Sequence, residues 1–310
     1  MKPTNKKDPS RANQRHRRMR FLIFGNISDS AKAGCIRSLI ETLGKHDVQY
    51  AIEPHLYTYL ARHAHWEAGD SHLMTGGMAD GDIAMSIGGD GTFLRTARAA
   101  AQGHIPIIGV NMGRMGFLTD IEPATFGKAV SDILRGDYHI EERTQLALTV
   151  SGSDGTRRCT ALNEIAVTKM DISSMISIRV KVNGQFLSTY QCDGLIVATS
   201  TGSTAYSLSV GGPIIMPQSE SMVITPVAPH NLSVRPIVLR DDWTVEMEVA
   251  SRNRQFLVAN DGASMACDER DKLTVTKADE SLKVVKLNSH PLFENLRSKL
   301  MLGVDNREKI

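Results

Sequence analysis

At Tyr138 the hydrophobic period of this chain changes, and that change restricts the fold more than any other feature. Before it, apolar residues recur at helical spacing. Ala33, Ile36, Leu39, Ile40 and Leu43 mark one face of a helix over Ser30 to Leu43, closed by Gly44. After it, apolar and polar residues alternate. Ile176, Ile178, Val180 and Val182 interleave with Ser177, Arg179 and Lys181, and Asn183-Gly184 follows as a type I′ hairpin signal. Trp243, Val245, Met247 and Val249 repeat the alternation. A period near 3.6 buries a helical stripe and a period of 2 buries one face of a strand. The chain therefore reads as an α/β domain followed by an all-β sandwich over residues 138–287.

In the first part, strands at Arg20 to Gly25, Val48 to Ile52, Asp82 to Ile87 and Ile105 to Val110 alternate with helices. Helices are expected at Ser30 to Leu43, Pro54 to about His65, Thr92 to Gln102 with Gly103 past its end, and Pro123 to Leu134 with Gly136 at its end. That alternation implies a Rossmann-like parallel sheet covered on both faces, with ligands beyond the carboxyl ends of its strands. A last helix, Pro291 to Leu302, needs a surface to dock on, and the first domain offers one. The α/β domain is then discontinuous, residues 20–137 plus 288–310, behind a basic tail at 1–19.

The composition, 41% hydrophobic and 23% charged over 310 residues, is that of a soluble globular protein with room for two cores. The formal charge of +2 hides an asymmetry. Residues 1–20 hold eight Lys or Arg against one acid, leaving 28 against 33 in the rest. A basic tail on an acidic body argues against nucleic acid as a partner, since a nucleic-acid-binding domain shows a basic face. The apolar run Phe21 to Phe24 is too short for a signal-peptide core, and no stretch reaches the ~18 apolar residues that span a bilayer. A cytoplasmic protein is expected. Cys35, Cys159, Cys192 and Cys267 show no CxxC pairing, so neither disulfides nor zinc are expected and the thiols read as buried.

The chemistry centres on AMSIGGDGTFLR, residues 84–95. A strand runs into Gly88, Gly89 and Gly91, and Thr92 opens a helix. Glycine turns let backbone N–H groups approach an anion, and a helix start adds partial positive charge. Asp90 is out of place in such a phosphate cradle unless it does chemistry. It is suited to holding a divalent metal or to accepting a proton from a hydroxyl. The plain alternative is a Gly-Asp-Gly turn with Asp90 closing an Asx turn.

Three further stretches bear polar or aromatic groups. NMGRMGFLTD, 111–120, is a second glycine-broken turn after a strand, where Phe117 is either a core residue or a surface for a flat ring. Asn163 and Glu164 interrupt an apolar segment, as a ligand-facing pair or a solvated one. In CDGLIVATSTGSTAYSLSVGGP, 192–213, a strand empties into hydroxyl residues suited to binding a nucleotide without charge, with Asp193 at the strand's entry and Tyr206 offering a ring face.

With GGDGTFLR, LNEIAV, DGLIVATSTGSTAYSLSVGGPI and HNLSVRPIVL present in this order, the chain resembles the bacterial NAD kinase family from about residue 20 to 302. The resemblance implies a Rossmann-like domain, a β-sandwich domain, a site between them, and dimers or tetramers. It also implies phosphoryl transfer from ATP to the 2′-hydroxyl of NAD, with a divalent cation, Mg²⁺, as cofactor. By motif, Asp90 corresponds to the catalytic base, with Gly88, Gly89 and Thr92 forming the phosphate loop. Gly91, Arg95, Phe117, Asn163, Glu164, Asp193 and the loop Thr204, Ala205, Tyr206, Ser207, Leu208 and Ser209 correspond to substrate contacts. Many family members have Asp-Gly-Gln late in the chain. Here Ala263 follows Asp261 and Gly262, so no glutamine contact is expected.

The chain has no GxxxxGK[ST] and so is not a P-loop kinase. GGDGT also occurs in lipid kinases, against which stand the acidic body and the TGSTAY loop. A non-catalytic dinucleotide sensor is the other alternative, and it has no use for a carboxylate that repels phosphate.

Overall fold

The computed structural model describes residues 18–66, 69–113, 116–153, 155–171, 173–288 and 292–300. The basic tail at 1–19 therefore falls outside the described residues up to position 17, as do the ends of the expected last helix.

Strands β1 (Arg20–Gly25), β2 (Gln49–Ile52), β3 (Ile83–Gly88) and β4 (Ile107–Asn111) pair in parallel in the order β2-β1-β3-β4. Each is close to a continuous apolar run because both faces are covered. Phe21 and Ile23 point to one side and pack with α1 (Ala33–Leu43), α2 (Pro54–Ala64) and α4 (Phe126–Leu134). Leu22 points to the other and packs with Phe93, Ala97 and Ala100 of α3 (Asp90–Gln102). Leu162, from the second domain, joins this second cluster and ties the two domains together.

The chain leaves this domain through β5 (Tyr138–Arg143). It then forms β6 (Leu146–Gly152), β7 (Gly155–Ala161), β8 (Glu164–Lys169), β9 (Ile176–Val182), β10 (Gln185–Cys192) and β11 (Gly194–Thr199). A one-turn helix α5 (Tyr206–Ser209) precedes β12 (Ser221–Val227), β13 (Ile237–Arg240), β14 (Val245–Ala250), β15 (Gln255–Asn260), β16 (Ala263–Asp268) and β17 (Lys272–Lys277). These strands make two antiparallel sheets, β10-β9-β14-β17-β6-β7 and β13-β12-β11-β8-β15-β16. One core fills the space between them. Ile176, Ile178 and Val180 of the first sheet meet Ile165, Val167, Leu195 and Val197 of the second. The β9–β10 hairpin turns at Asn183 and Gly184, both left-handed (φ 48° and 76°), as a type I′ turn requires.

The chain returns through β18 (Leu282–Leu287), which pairs in parallel with β4 and antiparallel with β5. α6 (Leu292–Leu300) then reaches the first domain, where Lys299 bonds to Asp120. The architecture is the expected α/β domain plus β-sandwich, with the last helix returning. The boundaries differ from the expectation, since residues 138–143 and 282–287 belong to the first sheet. Alternation identifies a strand but does not name its partner.

Other details differ too. Pro123–Thr125 forms a separate 3₁₀ turn before α4. At the end of α3 the left-handed residue is His104 (φ 55°), while Gly103 is needed because a Cβ there would overlap Met78. Trp243 lies exposed ahead of β14, and Cys35 is exposed rather than buried. Among the described residues, no helix is long and apolar enough to cross a membrane.

Candidate active site

The glycine turn ends β3 and starts α3. Gly89 caps the helix in an extended conformation without a side-chain cap, and its carbonyl accepts from the Thr92 and Phe93 N–H groups at 3.0 Å each. The first-turn N–H groups of a helix have no intrahelical acceptor and favour an anion. Space is available for one, since a Cβ at Gly89 or Gly91 would meet nothing within 4 Å.

Asp90 occupies the first helical position and does not close a local turn. Its Oδ2 accepts from Phe117 N–H at 2.8 Å and its Oδ1 from Leu118 N–H at 3.1 Å. The second glycine-broken turn is therefore built around this carboxylate. Gly116 permits the approach, because a Cβ there would stand 2.5 Å from Asp90 Oδ1 and 2.8 Å from Thr119 Oγ1.

On the second domain, Asn163 and Glu164 lie at the start of β8 and are held by Asp261. Asp261 is in a left-handed conformation (φ 47°) at the β15–β16 turn. Its carboxylate accepts from the N–H groups of Leu162 (2.7 Å), Asn163 (2.8 Å) and Glu164 (3.2 Å). Asn163 Oδ1 and Glu164 Oε2 are buried and have no hydrogen-bond partner among the described residues. Such atoms are uncommon in a folded protein and point to a missing partner. Burial, then the facing Asp261 charge, pushes Glu164 up to about 7 against the opposing effect of the Tyr206 N–H bond. Burial also raises Asp261, even with three N–H donors on it.

The hydroxyl-rich loop after β11 divides into two sets. Thr199 Oγ1 donates to Leu162 O (2.6 Å) and accepts from Gly202 N–H (2.9 Å), and Ser203 Oγ donates to Ser200 O (2.7 Å). Ser207 Oγ is buried at 2.8 Å from Thr225 Oγ1. These hydroxyls fold the loop. Tyr206 and Ser209 are exposed, while Thr204, Ala205 and Leu208 are half-buried. Thr204 stands in the wall of a cleft whose other walls include Phe93, Phe117 and Leu118 from the first domain and Leu162 and Thr201 from the second. The cleft encloses about 710 Å³, open solvent included, a size usual for small-molecule sites.

Of the residues expected from the sequence, Phe117 and Thr204 line the cleft. Asp90 accepts from the amides of its lining residues Phe117 and Leu118, Gly91 is exposed beside Asp90, and Asn163 and Glu164 directly follow its lining residue Leu162. Arg95 is exposed on α3, one turn and more past Asp90. Asp193 pairs with Lys169 at 2.7 Å, at the end of β11 where Gly194 faces Thr168; Glu164 faces Ala198 at the other end. At ~3.3 Å per residue the two ends are roughly 15 Å apart. Asp261 was not expected in the site. The Asp261-Gly262 turn was visible in the sequence, but nothing local marks its reach across 97–99 residues to positions 162–164.

Both halves match known sequence families. Residues 22–138 match the ATP-NAD kinase N-terminal domain and residues 162–287 the ATP-NAD kinase C-terminal domain. An α/β domain with a glycine phosphate turn, closed against a β-sandwich, is the architecture of that class. A NAD kinase of Bacteroides fragilis is 46% identical over 289 residues, 93% of this chain and 100% of that protein. A NAD kinase of Porphyromonas gingivalis is 38% identical, covering 92% and 98%. The chain belongs to the NAD kinase family. Among solved structures, a yeast NADH kinase complexed with NADH shares the fold (TM-score 0.82, 21% identity, 93% and 89% covered). A NAD kinase from Archaeoglobus fulgidus in complex with ATP superposes with a TM-score of 0.70 at 26% identity, covering 90% and 99%.

Proposed function

We propose that this protein transfers the terminal phosphoryl group of ATP to the 2′-hydroxyl of the adenosine ribose of NAD, giving NADP. The observation that carries the reading is one carboxylate, Asp90, held by two amides at the open start of α3 and beside a cleft shared by both domains. A phosphate drawn to the helix start and a hydroxyl delivered by the cleft meet there. Phosphoryl transfer requires alignment, charge neutralisation and removal of the acceptor's proton. Each Asp90 oxygen gives one lone pair to the 117–118 amides and keeps another for that proton.

Asn163 Oδ1 and Glu164 Oε2 supply buried polar atoms for the ribose hydroxyls. With its carboxyl near 7, Glu164 donates or accepts as the hydroxyl demands. Phe117 borders the adenine, and Thr204 to Tyr206 close the other side. Among the described residues no group of three or more His, Cys, Asp or Glu is arranged to hold an ion. The divalent cation, Mg²⁺ in our reading, enters with the donor nucleotide as substrate.

A homo-oligomer is part of the same proposal, supported by the exposed apolar side chains Phe186, Leu232 and Val238 on the sandwich and checked by light scattering. The four free cysteines fit a reducing, cytoplasmic setting.

The test is turnover of purified protein with NAD and ATP, reading NADP with an NADP-specific dehydrogenase, for wild type and Asp90→Asn. Loss of a general base lowers turnover by about 10²–10⁴-fold, while NAD binding survives. Wild-type turnover in the variant overturns the assignment.

A further inference from the structure

Asp120 ends the turn that grips Asp90 and is itself gripped from two other elements. Lys286 of β18 bonds Asp120 Oδ2, and Lys299 of α6 bonds Oδ1 at 3.1 Å. The three side chains are 15–18% exposed. Burial acts to raise Asp120, but the two ammonium groups outweigh it and hold its carboxyl below the usual range. Lys299 reaches further along the same turn. Its Nζ lies 3.4 Å from the Thr119 carbonyl, to which it donates, and 6.0 Å over the Phe117 ring. The turn whose amides hold Asp90 is thus fixed by the last helix, which lies outside both matched family segments, and Asp120, Lys286 and Lys299 all stand in the cleft wall beside Phe117.

We propose that Lys299, acting with Lys286 through Asp120, is a positioning residue for Asp90: the last helix sets the height of the 116–120 turn, and the turn sets the carboxylate. This rests on Asp90 being the proton acceptor. The physical reason is leverage. Among the described residues, the partners of the Asp90 carboxylate are the N–H groups of a turn that begins at a glycine. Remove one of the two cations and the turn is held from a single side. A displacement of about 1 Å at a reacting group costs up to ~10²-fold in rate. Asn163, Glu164 and Asp261 sit on the other domain, so the polar groups offered to the ribose are left in place.

The test compares Lys299→Met, Lys299→Arg and Asp120→Asn in the full chain, measuring kcat, the dissociation constant for NAD and thermal midpoint. Lys299→Met is expected to lower kcat by about 10–100-fold with NAD affinity changed less than about threefold, a factor worth under 1 kcal/mol. Lys299→Arg restores most of the rate. In an Asp90→Asn background, Lys299→Met adds no further loss, because both changes act on one group. If NAD affinity falls and kcat holds, Lys299 acts on the cleft wall through Phe117 and the proposal fails. If the two losses multiply, it fails as well. If Asp90→Asn alone turns over normally, the reading of Asp90 is what has failed. Should Lys299→Met not fold, the Asp120→Asn variant and its combination with Asp90→Asn read out the same coupling.

Discussion

Gly202 lies so close against the Asn163 carbonyl that any Cβ at position 202 would overlap it. The contact joins the hydroxyl-rich loop to the polar pair of β8, and Thr199 reinforces it by bonding Leu162 O and donating its own N–H to Asn163 O at 2.9 Å. The two motifs are therefore one mechanical unit.

Gly202→Ala is expected to push the loop off Asn163. Overpacking of this kind costs about 1–3 kcal/mol, so the thermal midpoint falls by several degrees. The loss in kcat/KM for NAD exceeds what the stability change explains. Retained kinetics at a lowered midpoint would separate the loop from substrate binding.

Gly116→Ala addresses the other side of the cleft. The added methyl would stand 2.5 Å from Asp90 Oδ1, so the 116–118 turn must lift and the two N–H bonds to Asp90 must lengthen. Turnover is expected to fall by roughly 10²-fold while NAD affinity changes little. Calorimetric titration with NAD alongside steady-state rates checks it.

Asp261→Asn keeps the shape but leaves one acceptor oxygen facing three N–H donors. Leaving buried donors unpaired costs about 1–3 kcal/mol. Glu164 also loses the carboxylate that helps to raise it, so its titration midpoint moves down from about 7. Carboxyl-resolved NMR titration of wild type and variant shows the shift or its absence.

Glu164 makes stability depend on pH. Its folded value of about 7 lies above the ordinary 4.5, so the folded state keeps a proton that the unfolded chain releases in between. That contribution is complete below about 4.5 and disappears as pH rises toward about 7. Asp261, also raised, acts in the same sense. Thermal midpoints from pH 4.5 to 8 are expected to fall more steeply for wild type than for Glu164→Gln. Equal slopes would mean that Glu164 titrates normally.

Much of this arrangement was legible in the residues. The glycine turn declares itself because few other residues allow such an approach, and Asn183-Gly184 names its own turn. Partners distant in sequence were not legible. An alternating strand shows which face is buried but not which sheet receives it, so β5 and β18 were assigned to the wrong layer. Asp261 and Asp120 look like ordinary turn carboxylates until the fold brings amides and lysines from afar to meet them.

The pairing of β5 with β18 has a consequence for the chain as a whole. Arg143, where the polypeptide leaves the first sheet, lies opposite Leu282, where it comes back. Exit and re-entry are neighbours across one ladder, so the entire sandwich is an insertion into a hairpin whose ends never part. A short loop joining those two positions would close the α/β domain without disturbing a strand, and the sandwich cut at the same points would have its own ends side by side. The covalent link between the domains is thus confined to one pair of adjacent strands, while Leu162 supplies the packing that holds them together.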